Sequence, residues 1–321
     1  MYNNVMLPLI DAKVGDTNKL GPVGRPTERS GWPVELAETL PKMMIEAGIP
    51  AIEITGGGEP TLWRGFDSLL ENCQSAGLDI GVVTNASNMP DHRAKLLARC
   101  VWVRFSIDAP NEEIHQRIHR TTYLAFDQRI ENVTKVVREK KAQGADVTIG
   151  VSYVITPGNI DYIEDMCGLC QRLGVDNLRF SFMYDKGGKA GLTDSQYDSL
   201  IPKLAGLKAK YSIAGYDILY DGTRLWTYSQ PNNDFKACHI QKFVWAIGAD
   251  CKVYPCCIMK YHPDFAYADL RIQTLKQMVD SIDFIAKQNN LDVTRCFPCW
   301  LRTRNQAIAQ ALEKPKHSNF L

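Results

Sequence analysis

The stretch Pro50-Ala-Ile-Glu-Ile-Thr-Gly-Gly-Gly-Glu-Pro60 decides the fold, because it joins a short apolar strand to a glycine-rich turn that carries one carboxylate. Consecutive glycines let a ligand approach the backbone, and the carboxylate of Glu59 can take an ammonium group. A tight strand-to-helix turn would use the same glycines without binding a ligand. The stretch matches neither G-x-G-x-x-G nor a P-loop, so no dinucleotide or nucleoside-triphosphate site is predicted here.

Strands and helices alternate on both sides of this stretch. Further strands are predicted at 79–84, 101–107, 147–155 and 177–183, with helices at 33–47, 66–76, 93–98, 130–143, 160–173 and 195–210. Strands separated by helices need crossover connections and therefore form a parallel sheet. The predicted fold class is α/β, and in such sheets function lies at the carboxyl ends of the strands.

Small polar side chains follow two of these strands. Thr84 and Asn85 end one strand, and Ser106 and Asp108 end the next. At such positions they suit a ribose or a carboxylate, although each could instead cap the helix that follows.

Six of the ten cysteines lie in the last third of the chain: Cys238, Cys251, Cys256, Cys257, Cys296 and Cys299. Four of them could close one tetrathiolate site, namely Cys238, Cys256, Cys296 and Cys299. Their spacing fits an iron–sulfur cluster and a structural zinc ion equally. A thioredoxin-like redox pair at Cys296 and Cys299 is disfavoured, because such a pair belongs early in a βαβ unit.

The other chemically capable residues favour simple structural roles. Cys251 and Cys257 are either spare ligands or packed thiols, and the four remaining cysteines are predicted to be buried packing residues: Cys73, Cys100, Cys167 and Cys170. His115 and His119 lie one helical turn apart without an H-E-x-x-H pattern, so a solvated helix face is predicted for them.

Composition excludes several classes of function. The formal charge of +1 gives no general attraction to nucleic acid or anionic membrane, and no apolar run is long enough to span a bilayer. No signal-peptide pattern opens the chain, and ten cysteines without an export signal favour a reducing, cytoplasmic setting. Three regions are predicted: an irregular lead-in at 1–34, the alternating region at 35–215, and a cysteine-rich region at 216–321.

The ordered strand ends resemble the radical SAM superfamily. Gly57, Gly58, Glu59 and Pro60 look like its GGE motif, which contacts the amino group of S-adenosylmethionine (SAM) in that family. Thr84, Asn85, Ser106 and Asp108 match positions that line the pocket for SAM and substrate, and 151–155 resembles the strand beside the adenine: together these imply a partial (β/α)6 TIM-like barrel.

The cysteine-rich region resembles a SPASM or shorter twitch-type extension. Asp250-Cys-Lys-Val-Tyr-Pro-Cys256 matches its D-G-x-V-x-P-C hairpin, with Cys251 in place of the glycine, and a final C-x-x-C is present at Cys296 and Cys299. The resemblance implies an auxiliary [4Fe–4S] cluster held by Cys238, Cys256, Cys296 and Cys299.

One family feature is absent from the sequence. The C-x-x-x-C-x-x-C loop that holds the SAM-cleaving cluster should precede the helix at 33–47, but residues 1–72 contain no cysteine. The chain is then either N-terminally truncated, the hypothesis favoured here because the other motifs look intact, or a degenerate homologue.

With that loop supplied upstream, the resemblance implies radical modification of a peptide or small molecule, with a reductant such as flavodoxin or ferredoxin. Without it, the chain is inactive as given. The alternative is a non-catalytic protein that binds SAM or a peptide and carries a structural iron–sulfur or zinc site.

Overall fold

Strands and helices alternate along the part of the chain that a computed structural model describes, which comprises residues 4–8, 32–56, 58–120, 125–183, 191–220, 235–296, 299 and 301–312. The strands are β1 (Asn4–Pro8), β2 (Ala51–Thr55), β3 (Asp79–Thr84), β4 (Trp102–Ser106), β5 (Thr148–Ile155), β6 (Asn177–Phe182), β7 (Asp217–Tyr220), β8 (Val244–Ile247), β9 (Lys252–Tyr254) and β10 (Ala268–Asp269). The helices are α1 (Leu36–Glu46), α2 (Phe66–Ser75), α3 (Asp91–Leu97), α4 (Glu112–His119), α5 (Phe126–Gln143), α6 (Ile163–Leu173), α7 (Asp194–Tyr211), α8 (Leu275–Val279), α9 (Ile282–Asn289) and α10 (Arg302–Leu312).

The chain divides into two compact units. The first unit comprises Met1–Gly58 and Trp226–Leu321, and the second unit comprises Glu59–Leu225. The predicted regions 1–34, 35–215 and 216–321 stay predictions of how function is distributed along the chain.

In the second unit β3 to β7 lie side by side in chain order, and each strand is parallel to the next. Their inward side chains, such as Val82, Phe105, Val151 and Phe180, are almost fully buried. Apolar strands of this kind are typical of a parallel sheet whose faces are covered by helices. The predicted α/β fold class, consistent with a partial TIM-like barrel, is confirmed.

In the first unit β1 pairs in parallel with both β2 and β8, β8 and β9 form an antiparallel hairpin, and β10 adds to β9. The prediction of an irregular lead-in is therefore wrong at Asn4–Pro8, which pairs with β2 along its whole length. The strand signal there is weak, because three apolar residues stand between two asparagines and a proline.

Two further differences concern the start of one helix and one additional strand. The helix predicted at 130–143 begins four residues earlier, at Phe126, where the Glu112 carboxylate accepts a hydrogen bond from the Phe126 amide (2.8 Å). The short strand β7 was not predicted.

Cys73, Cys100, Cys167 and Cys170 are buried, as predicted. None of the helices that the structure describes is long and apolar enough to cross a membrane.

Candidate functional site

The carboxylate of Glu59 is the centre of a buried hydrogen-bond network in the second unit. Glu59 is 9% exposed. Its Oε1 accepts hydrogen bonds from the Thr61 amide (3.1 Å), the Thr61 hydroxyl (2.7 Å) and the Thr84 hydroxyl (2.6 Å). Its Oε2 accepts one from the Asn85 amide (2.7 Å) and keeps lone-pair capacity for another donor. Three predicted site residues, Glu59, Thr84 and Asn85, are thus brought together.

The loop after β3 is held by helix α5. Ala86 has a φ of 61°, a left-handed conformation that costs a non-glycine residue free energy and so needs support. Nη1 of Arg129 donates to the Asn85 carbonyl (3.1 Å), and Nδ2 of the buried Asn132 donates to the Ala86 carbonyl (2.8 Å). Sequence reasoning missed both residues, although their three-residue spacing places them on one helix face.

Arg93 ties the turn after Glu59 to the same loop. Its guanidinium forms a bidentate pair with Asp67 (2.6 and 2.9 Å) and donates to the carbonyls of Thr61 (2.9 Å) and Asn88 (2.9 Å). Burial opposes ionisation of Asp67, but its hydrogen bonds with Arg93 and His92 hold its pKa below the usual value. Arg93 is therefore a buried residue that supports the Glu59 network, and sequence reasoning did not identify it.

Asp108 lies two residues beyond β4 and points its carboxylate at β5. Its Oδ1 accepts from the Val154 amide (2.7 Å), and its carbonyl accepts from the Asn159 side chain (3.0 Å). Burial raises the pKa of Asp108, while the Val154 hydrogen bond and the charges of His119 and Arg129 act in the opposite direction. A carboxylate in this state is suited to binding a polar ligand group or to proton transfer.

The predicted solvated face at His115 and His119 is wrong for His115. It is 1% exposed, and among the residues that the structure describes neither of its ring nitrogens has a hydrogen-bond partner. Its ring lies 4.5 Å from that of His119 and 6.0 Å from that of Phe126, centroid to centroid. Burial lowers the pKa of His115 to about 4, with smaller effects of the same sign from His119 and Arg129. Sequence reasoning missed this because Glu112, Glu113 and Arg117 make the helix look solvated, although Ile114 beside His115 is buried as well.

The remaining predicted residues of this site are Ser106, Gly57 and Gly58. Ser106 ends β4, is partly exposed and stands opposite Ser152 in the strand register. Gly58 is partly exposed, and Gly57 lies outside the described residues.

The second candidate site is the cysteine-rich part of the first unit. The predicted hairpin is present as β8 and β9, and Cys251 has a φ of 61° at its turn. A positive φ is a conformation that glycine adopts at no steric cost and that other residues rarely adopt. Cys251 is buried, so its thiol packs within the hairpin.

Burial raises the pKa of Cys238, Cys256 and Cys299, and nearby backbone N–H groups act in the opposite direction. These groups belong to Gln241 and Ile240 at Cys238, to Met259 and Ile258 at Cys256, and to Leu301 at Cys299. Such N–H donors stabilise a thiolate and are a common feature around metal-bound sulfur.

Cys238 is electrostatically close to the other three predicted ligands. A charge on its sulfur raises the pKa of Cys256, Cys296 and Cys299. In addition, Cys256 and Cys296 pack against the same apolar cluster. Burial raises the pKa of Cys296 to about 12 and of Cys299 to about 11. Within the described residues, however, no three His, Cys, Asp or Glu side chains are arranged to hold one metal ion.

The donor set fits a thiolate-ligated centre in this part of the chain. Buried thiols with raised pKa values stay protonated at neutral pH unless a bound metal deprotonates them. Four soft sulfur ligands suit zinc or an iron–sulfur cluster. By contrast, residues 1–72 contain no cysteine and do not fit a SAM-cleaving cluster.

A family model described as the radical SAM superfamily matches residues 20–172 of the 321. The match includes Glu59, Thr84, Asn85, Ser106 and Asp108, and it supports the radical SAM superfamily for this part of the chain. A search of curated proteins found no match.

Solved structures share the fold at low identity. Streptococcus suis SuiB has a TM-score of 0.65 and 14% identity over 94% of this chain and 72% of its own. SuiB bound to precursor peptide SuiA has a TM-score of 0.63 and 13% identity over 90% of this chain and 67% of its own. Native anSMEcpe with bound AdoMet and Cp18Cys peptide has a TM-score of 0.61 and 15% identity over 90% of this chain and 83% of its own.

Proposed function

We propose that this chain binds SAM through the Glu59 network and belongs to an enzyme that carries out radical chemistry on a peptide. The observation that carries the proposal is the convergence of Glu59, Thr84 and Asn85 at one buried carboxylate inside the segment that matches the radical SAM superfamily. Oε2 of Glu59 has capacity for an ammonium N–H, while Asp108 offers a second carboxylate after the next strand. Ser106, Gly57 and Gly58 remain proposed members of the site.

A peptide is the proposed substrate class, with a small molecule as the alternative. SuiB and anSMEcpe have both been solved with a bound peptide, and this chain spans 67% and 83% of those two chains. A reductant such as flavodoxin or ferredoxin and a cytoplasmic location complete the proposal.

For the cysteine-rich part we propose a SPASM or twitch-type [4Fe–4S] site with Cys238, Cys256, Cys296 and Cys299 as ligands. A zinc ion with sulfur ligands at about 2.3 Å would draw the four sulfurs to within about 4 Å of one another. The cluster is proposed over zinc on the resemblance of these four cysteines to the family extension, and the effect of Cys238 on the pKa of Cys296 and Cys299 is consistent with a shared site. When bound, the cluster would supply electron transfer or a substrate contact; the chain supplies the sulfur ligands, their amide donors and the apolar packing around them.

SAM binding is tested by isothermal titration calorimetry on the wild type, E59Q and the surface control E164Q. Glu164 lies in the same unit but is exposed and pairs with Lys210, so its substitution should leave SAM affinity unchanged. Removing a charged hydrogen-bond partner of the SAM amino group should weaken binding by at least about tenfold. A wild-type chain that shows no SAM binding at millimolar concentration would refute the proposal.

One observation favours a second candidate, a non-catalytic SAM- or peptide-binding protein. A strand precedes α1 at Asn4–Pro8, and the segment between them, residues 9–35, contains no cysteine. Such a chain would hold SAM intact. The two candidates separate when the protein is tested together with any upstream segment that carries a C-x-x-x-C-x-x-C loop, after loading with iron and sulfide and reduction by dithionite with SAM: 5′-deoxyadenosine eliminates the second candidate, and recovery of intact SAM supports it.

A further inference from the structure

One side chain binds the backbone on both sides of Cys238. Asn305 lies on α10 and is 1% exposed. Its Oδ1 accepts from the amides of His239 (2.6 Å) and Ile240 (3.3 Å), and its Nδ2 donates to the Ala237 carbonyl (2.9 Å). Both polar atoms of the Asn305 amide group are therefore engaged, and the backbone before and after Cys238 is held by them.

These bonds leave the Cys238 thiol available. The contacts of Asn305 with this loop are all to backbone groups, so none of them engages the Cys238 sulfur. The other end of the loop is held independently: Gln241 donates through Nε2 to the Gln288 carbonyl (2.9 Å) and accepts from the Tyr267 hydroxyl.

Asn305 is also connected directly to the second cysteine pair. Helix α10 begins three residues after Cys299, the Arg302 amide donates to the Cys299 carbonyl (3.0 Å), and the Asn305 amide donates to the Leu301 carbonyl (2.8 Å). Cys299 and Asn305 are thus parts of one helical turn and its entry. A single amide side chain joins the first predicted ligand to the segment that carries the last.

We propose that Asn305 is a positioning residue that holds Cys238 in register with Cys299 before metal is bound. The inference rests on the proposed function of the cysteine-rich part. Preorganised ligands bind metal more tightly because the loop does not have to be ordered on binding, and loss of such outer partners typically costs about 10- to 100-fold in metal affinity.

The test compares N305A and N305D with N132A. Asn132 is a matched control, because it is also a buried helical asparagine that donates to a loop carbonyl, but in the second unit. N305D keeps the two acceptor contacts and loses the donor, so it should fall between wild type and N305A. Far-ultraviolet circular dichroism confirms that each variant is folded, and hydrogen exchange over residues 237–241 reports the order of the Cys238 loop.

Two measurements are made. In the metal-free chain, iodoacetamide alkylation of Cys238, followed by mass spectrometry, should be about tenfold faster in N305A, with Cys299 as internal reference. In the reconstituted chain, N305A should lose iron to a chelator about 10- to 100-fold faster than wild type or N132A.

The results separate the two ideas. Unchanged Cys238 alkylation overturns the positioning role. Faster alkylation with unchanged iron retention overturns it as well, because Asn305 would then order the loop without serving the metal. If the wild type takes up neither iron with sulfide nor zinc, the proposed cysteine site fails, and any change in alkylation reports a structural clamp alone.

Discussion

Substitution of Glu59 by glutamine should destabilise the second unit severely, although it changes one atom. In E59Q the retained oxygen can still face the Thr61 and Thr84 hydroxyls, which now leaves the new NH2 group facing the Asn85 amide, formerly 2.7 Å from Oε2. Two donors then face each other. Loss of a charge-assisted hydrogen bond costs about 1.5–3 kcal/mol and a buried unpaired N–H costs about 1–3 kcal/mol, so we expect a loss of about 3–5 kcal/mol.

The size of this effect is checked by urea denaturation of E59Q, T84V and the double variant. T84V removes a hydroxyl that donates to the Glu59 carboxylate and accepts from the Ala86 amide (3.2 Å), and it should cost about 1.5–3 kcal/mol. Because both residues share the 2.6 Å bond, the cycle should give a coupling energy of about 0.5–3 kcal/mol. An E59Q variant within about 0.5 kcal/mol of wild type would refute the reasoning, since surface substitutions have effects of that size. The SAM affinity of E59Q must be measured under conditions in which E59Q is still folded. T84V is the second comparison, because it disturbs the loop but keeps the Glu59 carboxylate that is proposed to contact SAM.

Three further outcomes are expected. H115L should make the free energy of unfolding less dependent on pH between about 4 and about 6.5. Burial lowers the pKa of His115 to about 4, below its value of about 6.5 in the unfolded chain, so wild-type stability is lost as the pH falls through this range. The loss is at most about 1.4 kcal/mol per pH unit and is measured by denaturation at several pH values. C251G should be neutral or stabilising by about 1 kcal/mol in thermal unfolding because the residue has a φ of 61°, whereas C251V should destabilise. R93K should lose about 2–4 kcal/mol in the same assay, since lysine cannot keep the bidentate pair with Asp67 and both carbonyl contacts, and an unchanged midpoint would contradict this.

Much of the candidate site in the second unit follows from the sequence. Glu59, Thr84 and Asn85 were predicted at successive strand ends, and parallel strands bring such ends to one edge of a sheet. The structure adds that the carboxylate is shared among four donors, which no local pattern specifies.

The supporting residues could not be predicted in this way. Arg93, Asn132 and Asn305 act through hydrogen bonds to carbonyls and amides of distant segments, and a backbone group has the same appearance in every sequence. Strand β1 was missed because its apolar run is short, and His115 because Glu112, Glu113 and Arg117 give its short helix a charged appearance.

The contact between Asn305 and the Cys238 loop also sets an order of events during synthesis. His239 leaves the ribosome 66 residues before Asn305, and all four predicted ligands are made before the helix that fixes the first of them. On the proposal made above, insertion of a cluster into an ordered site would have to wait until α10 has been synthesised. A chain that stopped at Leu301 would contain every proposed ligand yet hold iron poorly, so α10 would determine when, as well as how firmly, the proposed centre can be assembled.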